Sequence, residues 1–248
     1  GMAATVLQSQ NLNPDRIVHL GKLVARQVGH MSRLVEDLID ISRVSRGLVT
    51  LDEATLDARQ IVTDAVEQVR PLIDFRRHHL SVQVAPGAAF VRGDQKRLIQ
   101  IVANLLNNSA KYTPEGGEIG LRIDADHAHV TFRVTDNGIG MESHVIEHVF
   151  EMFSQGERSS DRSQGGLGIG LALVKRLVDL HGGSITAESA GGGRGSVFTV
   201  SLPSTAAPEN AVSATPGDTV PAPAGGRRLL IVDDNVDAAA TLGMYLEL

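Results

Sequence analysis

The sequence predicts an α/β fold behind a long bundle helix, and three observations carry that prediction. Amphipathic helical patterns over 57–75, 94–113 and 170–181 alternate with period-two strand patterns over 80–85, 118–124, 129–135, 184–189 and 196–202. Ahead of them, Ile17, Leu20, Val24, Met31, Leu34, Leu38 and Ile41 follow a heptad interrupted only by Gln27. Glycine-rich stretches stand at the junctions: DNGIG directly follows a strand, and GGLGIGL runs into a helix.

Asn13 and Pro14 start the first helix, as a capping side chain and a residue whose fixed φ suits the first turn, and Gly47 stops it. Leu23, Val28 and Val35 widen its apolar stripe. One helix cannot bury such a stripe, so it needs an antiparallel neighbour or a second subunit. After an extended piece over 48–56, Asp57 caps a second helix with Ile61, Ala65, Val66, Val69 and Ile73 on one face. A strand over 80–85 turns at Pro86 and Gly87, and a third helix begins near Asp94. Two strands, LRI and VTFRV, joined by a polar turn, read as a hairpin. A short helix over 142–149 precedes FEMF and a polar loop from Ser154 to Gln164, long enough for a lid. Gly182 and Gly183 end the last helix, and two strands flank AGGGRG. From Pro203 to Gly226 the chain turns to Pro, Ala, Thr and Ser, with five of its nine prolines, which reads as a disordered linker. RRLLIVDDN then reads as a buried strand ending in acids, followed by a helical start.

With 248 residues, 42% of them apolar, the chain can bury a real core. A net charge of −6 with scattered basic residues leaves no footprint for nucleic acid or an anionic membrane. The absence of cysteine excludes disulfides and thiolate metal sites and fits a cytoplasmic protein. No window reaches the roughly 18 apolar residues of a spanning helix, so the segment is expected to be soluble.

The chemistry concentrates on the helix ending in NLLNNSAKYTP. Leu98, Ile101, Val102, Leu105 and Leu106 recur on one side, while Asn104, Asn108 and Lys111 fall three or four apart on another. An amide oxygen suits magnesium and an ammonium suits a phosphate, so this side could hold a metal nucleotide; a solvated polar face is the plain alternative. In DNGIG, Asp136 could accept from an adenine amine while Gly138 and Gly140 let the backbone approach the ring, or the stretch is simply a hairpin turn. Backbone N–H groups of GGLGIGL, spanning Gly166, Leu167, Gly168, Ile169, Gly170 and Leu171, could cradle phosphates at a helix start. Its spacing fits neither the dinucleotide fingerprint nor the P-loop. In GGRGSVF, Ser196 could touch a phosphate, or the stretch is a plain turn. Aromatics make up only 3% of residues, so a purine would be held by aliphatic walls and polar contacts.

In this order NLLNNSAKYTP, DNGIG, FEMFSQ, GGLGIGL and GRGSVF resemble the N, G1, F, G2 and G3 boxes of the sensor histidine kinases of two-component signalling. Upstream, RQVGHMSRLVEDLIDISRVSRG resembles the second helix of their dimerisation and phosphoacceptor hairpin; downstream, LLIVDDN resembles the first strand of a receiver domain. The resemblance implies a hybrid kinase divided into a partial bundle over 1–47, an ATP-binding catalytic domain over 48–203, a linker over 204–226 and a receiver start over 227–248. It implies the GHKL (Bergerat) fold, a two-layer sandwich whose mixed five-stranded sheet carries helices on one face. It further implies Asn108 as the magnesium ligand, Asn104 and Lys111 at the phosphates as catalytic groups, Tyr112 beside the nucleotide and Asp136 on the adenine amine. Gly138, Gly140 and the 166–171 stretch would shape the pocket, and Phe150 and Phe153 would anchor the lid, simple core packing being their alternative. Arg158 and Arg162 could meet the γ-phosphate or lie solvated. ATP and magnesium are the implied cofactors. A second copy through the bundle helix, a phosphoacceptor hairpin and a response-regulator receiver are the implied partners, with any membrane anchor upstream.

The chain departs from the family at the acceptor histidine, which an acid follows directly and a proline four residues on. None of its nine histidines fits; Met31 follows His30 and Leu20 follows His19. Asp233 and Asp234 correspond to receiver acids, without the phosphorylatable aspartate. Three rival functions share the fold or the parts. ATP hydrolases of the gyrase, Hsp90 and mismatch-repair type carry a glutamate base where this chain has Asn104, whose amide cannot take the proton. A non-catalytic signalling module would use the nucleotide for assembly alone. A serine kinase of the anti-sigma type lacks the bundle helix and receiver start.

Overall fold

The computed structural model describes residues 50–87, 89–154 and 168–207, together with Leu20, Gly21, Lys22, Val24, Val28, Gly29, Met31, Val35, Leu38 and Ile39. Those ten are helical, and Val28, Met31, Val35, Leu38 and Ile39 expose their apolar side chains. The remainder of the expected bundle helix, nearly all of the expected lid with Arg158 and Arg162, the expected linker from residue 208 on and the expected receiver start lie outside the described residues.

From residue 50 on, eleven elements follow in chain order among the described residues: β1 (Glu53–Asp57), α1 (Ala58–Phe75), β2 (His79–Val84), β3 (Phe90–Asp94), α2 (Gln95–Tyr112), β4 (Glu118–Ala125), β5 (His129–Asp136), α3 (Ser143–His148), α4 (Gly170–Leu180), β6 (Ser184–Glu188) and β7 (Ser196–Thr205). Aspartates begin both long helices. Asp57 Oδ1 accepts from Arg59 N at 2.9 Å, and Asp94 Oδ1 from Arg97 N at 3.2 Å, each satisfying a first-turn donor that the helix cannot.

β2, β4, β5, β7 and β6 form the expected mixed sheet of five strands, with β2 and β4 parallel and the other pairs antiparallel. The strand count of the whole sheet is corrected to seven among the described residues. β3 pairs with the far end of β7 at Phe90 and Val91, and β1 pairs with β3. The period-two pattern does not reveal β3, because it is five residues long and includes Gly93 and two charged residues. A Cβ at Gly93 would run into the His181 ring, whose Nε2 accepts from Asp94 N at 3.1 Å while Nδ1 donates to Leu177 O at 2.7 Å. That neutral imidazole ties the end of α4 to the start of α2.

Alternation decides the layering. Ile119, Leu121 and Ile123 of β4, Val130, Phe132 and Val134 of β5 and Phe198, Val200 and Leu202 of β7 are buried, while Arg122 and Arg133 between them face out. Over that buried face lie Ile61, Val62, Val69 and Ile73 of α1, Leu98, Ile101, Leu105 and Leu106 of α2 and Leu173, Leu177 and Val178 of α4. Each such side chain contributes about 1.5–3 kcal/mol by leaving water, so this interface fixes α2 and with it the polar side of the same helix.

Candidate nucleotide site

The site is built on the last two turns of α2 and on the loops that follow β5 and β6. Asn104 and Asn108 lie one turn apart on α2, with Lys111 three residues further. The Asn104 side chain is buried at Nδ2 and has no hydrogen-bond partner. Asn108 is half-buried. Lys111 Nζ lies 3.1 Å from the Tyr112 hydroxyl and 4.7 Å from the centre of its ring, and Tyr112 is 44% exposed. The carbonyls of the last turn are braced from the loop after α1: His78 Nε2 donates to Ala110 O at 2.9 Å and Arg76 Nη1 to Lys111 O at 3.1 Å.

Asp136 ends β5 beneath this helix. Its Oδ1 accepts from Gly138 N at 2.9 Å and its Oδ2 from the Ser109 hydroxyl at 3.2 Å, and Ser196 adds a backbone donor. Burial holds the Asp136 carboxyl above the usual carboxylate range, against the downward pull of those three hydrogen bonds. Gly138 is obligatory here, since a Cβ would stand 2.6 Å from Tyr112 O and 2.8 Å from Asp136 Oδ1. The following residue, Ile139, donates its N–H to Tyr112 O at 3.1 Å, tying the loop to the end of α2. Thr113, at the same junction, buries a hydroxyl without a partner. Gly140 has φ +66°, and a Cβ there would collide with Gly191 O.

The structure thus joins Tyr112, Asp136 and Gly138 at the end of α2, with Lys111 and Asn108 in the last turns of that helix, Asn104 one turn further back and Gly140 in the loop that follows Asp136. Ser196 is the register partner of Asp136 and buried, which sets it beside that carboxylate. Gly168, with φ +69°, accepts at its carbonyl from Phe153 N at 3.1 Å, so the chain before residue 155 and after residue 167 meets there. Phe150 packs partly against the core, as its simpler reading expects. Phe153 is 65% exposed with φ +65°, so core packing does not explain it. Ile169 is 3% exposed and Leu171 packs on the core, leaving only their backbone for a ligand, at the helix start beside Gly170. Gly166 and Leu167 lie outside the described residues.

Two unpartnered buried polar atoms on and after α2, a half-buried carboxylate and glycines in the loop after it are residue types that fit a nucleotide, and the Asn108 amide one that fits an oxygen-ligated cation. The profile of histidine kinase-, DNA gyrase B- and HSP90-like ATPases matches residues 93–206. The chain is also similar to a solved structure of a mycobacterial sensor histidine kinase, MprB, at 30% identity and a TM-score of 0.55, covering 61% of this chain and 98% of that one. The chain belongs to the sensor histidine kinase family. Members of the family are ATP-dependent protein-histidine kinases, and this chain carries their ATPase-like domain. Among curated relatives, the circadian input-output histidine kinase CikA of Thermosynechococcus vestitus is 36% identical over 183 residues, which is 72% of this chain and 25% of that protein. A full-length ShkA structure in complex with AMPPNP matches at 28% identity and a TM-score of 0.66, covering 84% of this chain and 42% of that one. The chain therefore spans well under half the length of the curated histidine kinases it matches.

Within the family boxes the structure adds Ser109, Thr113 and Asn137 to the residues that the sequence singles out. Asn137 Oδ1 accepts from Glu118 N at 2.9 Å and so locks the start of β4 to the loop after β5. The sequence carries one usable signal for Ser109, a hydroxyl on the otherwise apolar row of α2.

Proposed function

We propose that this chain is the ATP-binding catalytic part of a hybrid sensor histidine kinase, and that it binds magnesium ATP and donates the γ-phosphoryl group to a histidine. The observation that carries the reading is the pair of buried, unpartnered polar atoms on and after α2, Asn104 Nδ2 in mid-helix and Thr113 Oγ1 at its end by the half-buried Asp136 and Gly138; a nucleotide lying along the helix would complete such a set. The ATP analogue bound in the ShkA structure supports it.

Asp136 reads the base, with Ser109 and Gly138 holding its carboxylate in place. Ser196 supports that end, and Gly138 and Gly140 admit the ring. Asn108 offers its amide oxygen to magnesium. Asn104 and Lys111 face the phosphates, where an ammonium offsets charge that builds as the phosphoryl group leaves. Tyr112 borders the nucleotide. Backbone N–H groups of 166–171 close on the phosphates, with Phe150 and Phe153 at the base of the lid. When bound, magnesium ATP supplies the phosphoryl group that a histidine nitrogen accepts. The residues of this chain do the rest by positioning and charge neutralisation, which is most of what phosphoryl transfer needs.

The acceptor is a histidine outside the pattern of this chain's nine. Residues 1–47 would supply the second bundle helix and pair with a second copy, a reading supported by the exposed Val28, Met31, Val35, Leu38 and Ile39. Residues 48–203 would form the catalytic domain, 204–226 a linker and 227–248 the first strand and helix of a receiver domain. The parent protein would act from the cytoplasm, with its sensor upstream; no helix among the described residues is long and apolar enough to cross a membrane. Calorimetric titration with magnesium ATP, paired with transfer to an added bundle hairpin bearing its histidine, tests the proposal. Binding with transfer is expected. Binding without transfer would favour a regulatory nucleotide, and no binding would overturn the reading.

A further inference from the structure

Ser189 ends the segment after β6, immediately before AGGGRG, and the family boxes do not include it. Its half-buried hydroxyl accepts from Met141 N at 2.9 Å and from Gly191 N at 3.3 Å, and donates to Gly195 O at 2.6 Å, with Gly191 O at 3.4 Å as a weaker second acceptor. A hydroxyl has one proton and two lone pairs, so the first three partners use all of its capacity. They lie in two loops 48 residues apart in sequence at Met141 and Ser189. One is the loop that follows Asp136; the other is the glycine turn that leads into Ser196.

Few side chains fix these loops. Ile139 is exposed, and Gly138, Gly140, Gly191, Gly192, Gly193 and Gly195 supply much of the rest. Glycine gives up the most backbone freedom on ordering, so such loops stay in place only where hydrogen bonds hold them. Two main-chain bonds contribute: Gly193 N donates to Ile139 O at 2.6 Å and Gly195 N to Gly138 O at 3.1 Å. The second holds the residue whose own N–H reaches Asp136. The lack of a side chain at Gly140 lets Gly191 O and the Ser189 hydroxyl close in on it, since a Cβ there would collide with the first and stand 3.0 Å from the second.

We infer that Ser189 is a positioning residue of the nucleotide site, clasping the 138–141 loop to the 189–195 turn so that the base end of the pocket is ordered before the ligand arrives. The role rests on the nucleotide reading above. Without the clasp, the ordering of those glycines is charged to binding, and affinity falls while the core packing of the fold stays intact.

The experiment uses the whole chain as wild type, Ser189→Ala and Ser189→Thr, with hydrogen exchange of the 138–141 and 193–195 amides in the absence of nucleotide, thermal melting, and calorimetric titration with magnesium ATP. Ser189→Ala should lose protection at the Met141 amide and bind about tenfold more weakly, with little change in Tm. Ser189→Thr, which keeps the hydroxyl, should restore both. Ser189→Cys, of similar size and a weak hydrogen bonder, reports the same way where the alanine variant fails to fold. Wild-type protection at Met141 in the Ala or Cys variant, or affinity within twofold of wild type, would overturn the clasp. Loss of Met141 protection in a protein whose wild type binds no nucleotide would overturn the nucleotide reading, and with it the role in binding, while leaving the loop contact standing.

Discussion

Replacing Asp136 by asparagine separates the charge of this side chain from its shape. Asp136 Oδ1 takes the Gly138 N–H at 2.9 Å and Oδ2 takes the Ser109 hydroxyl at 3.2 Å. In Asp136→Asn the carbonyl oxygen stays with the fixed main-chain donor, and an NH2 group replaces the oxygen that faces Ser109. The hydroxyl can rotate and accept from it, because it carries lone pairs as well as a proton. An adenine amine cannot. Guanine presents a carbonyl acceptor in the same place and would gain a partner. Losing a charge-assisted hydrogen bond removes about 1.5–3 kcal/mol, or roughly 10- to 150-fold in Kd for ATP, while GTP should bind more tightly than it does to wild type.

The same substitution has a signed effect on stability. Burial holds the folded-state pKa of Asp136 above its unfolded value, so the folded protein keeps this proton longer than the unfolded chain does. Ionising it therefore costs stability as pH rises from about 4 through the folded pKa, and the cost stays level above that. Asparagine has no such cost, so Asp136→Asn should gain on wild type across that window and hold the gain at neutral pH. Calorimetry with ATP and GTP, with melting curves between pH 4.5 and 8, measures both effects. ATP affinity within about threefold of wild type, or equal weakening of both purines, would refute Asp136 as the base reader. A variant that loses ground to wild type as pH rises would refute the burial argument.

Asn108→Ala should abolish the magnesium dependence of ATP binding while the fold survives, seen by titrating with and without chelator. Asn104→Leu removes a buried amide donor with no partner; the nucleotide-free protein should gain about 1 kcal/mol in denaturant unfolding, while magnesium ATP binds more weakly. Gly138→Ala places a methyl 2.6 Å from Tyr112 O and should destabilise by about 1–3 kcal/mol in the same assay.

What the sequence makes legible is what period and residue type alone enforce. The stripe of α2 and the alternation of β4 and β5 face one core, and all three elements form within a few residues of the expected limits. Asn104, Asn108 and Lys111 are legible as one polar side of α2, because spacing by three and four sets them on the same side, and Asp136 as the carboxylate that ends β5 ahead of two glycines. β3 is hidden because it joins the sheet only through two residues at the far end of β7 and its Gly93 answers to His181, 88 residues away. Ser109, Asn137 and Ser189 are hidden for a different reason. Each satisfies a partner that belongs to another segment, and for Asn137 and Ser189 that partner is a main-chain group, which every residue possesses. A side chain chosen to meet a ligand announces its chemistry in its type. One chosen to meet a peptide bond needs the fold to say which bond, so the supports of this pocket become visible only after β5, β6 and α2 are in place.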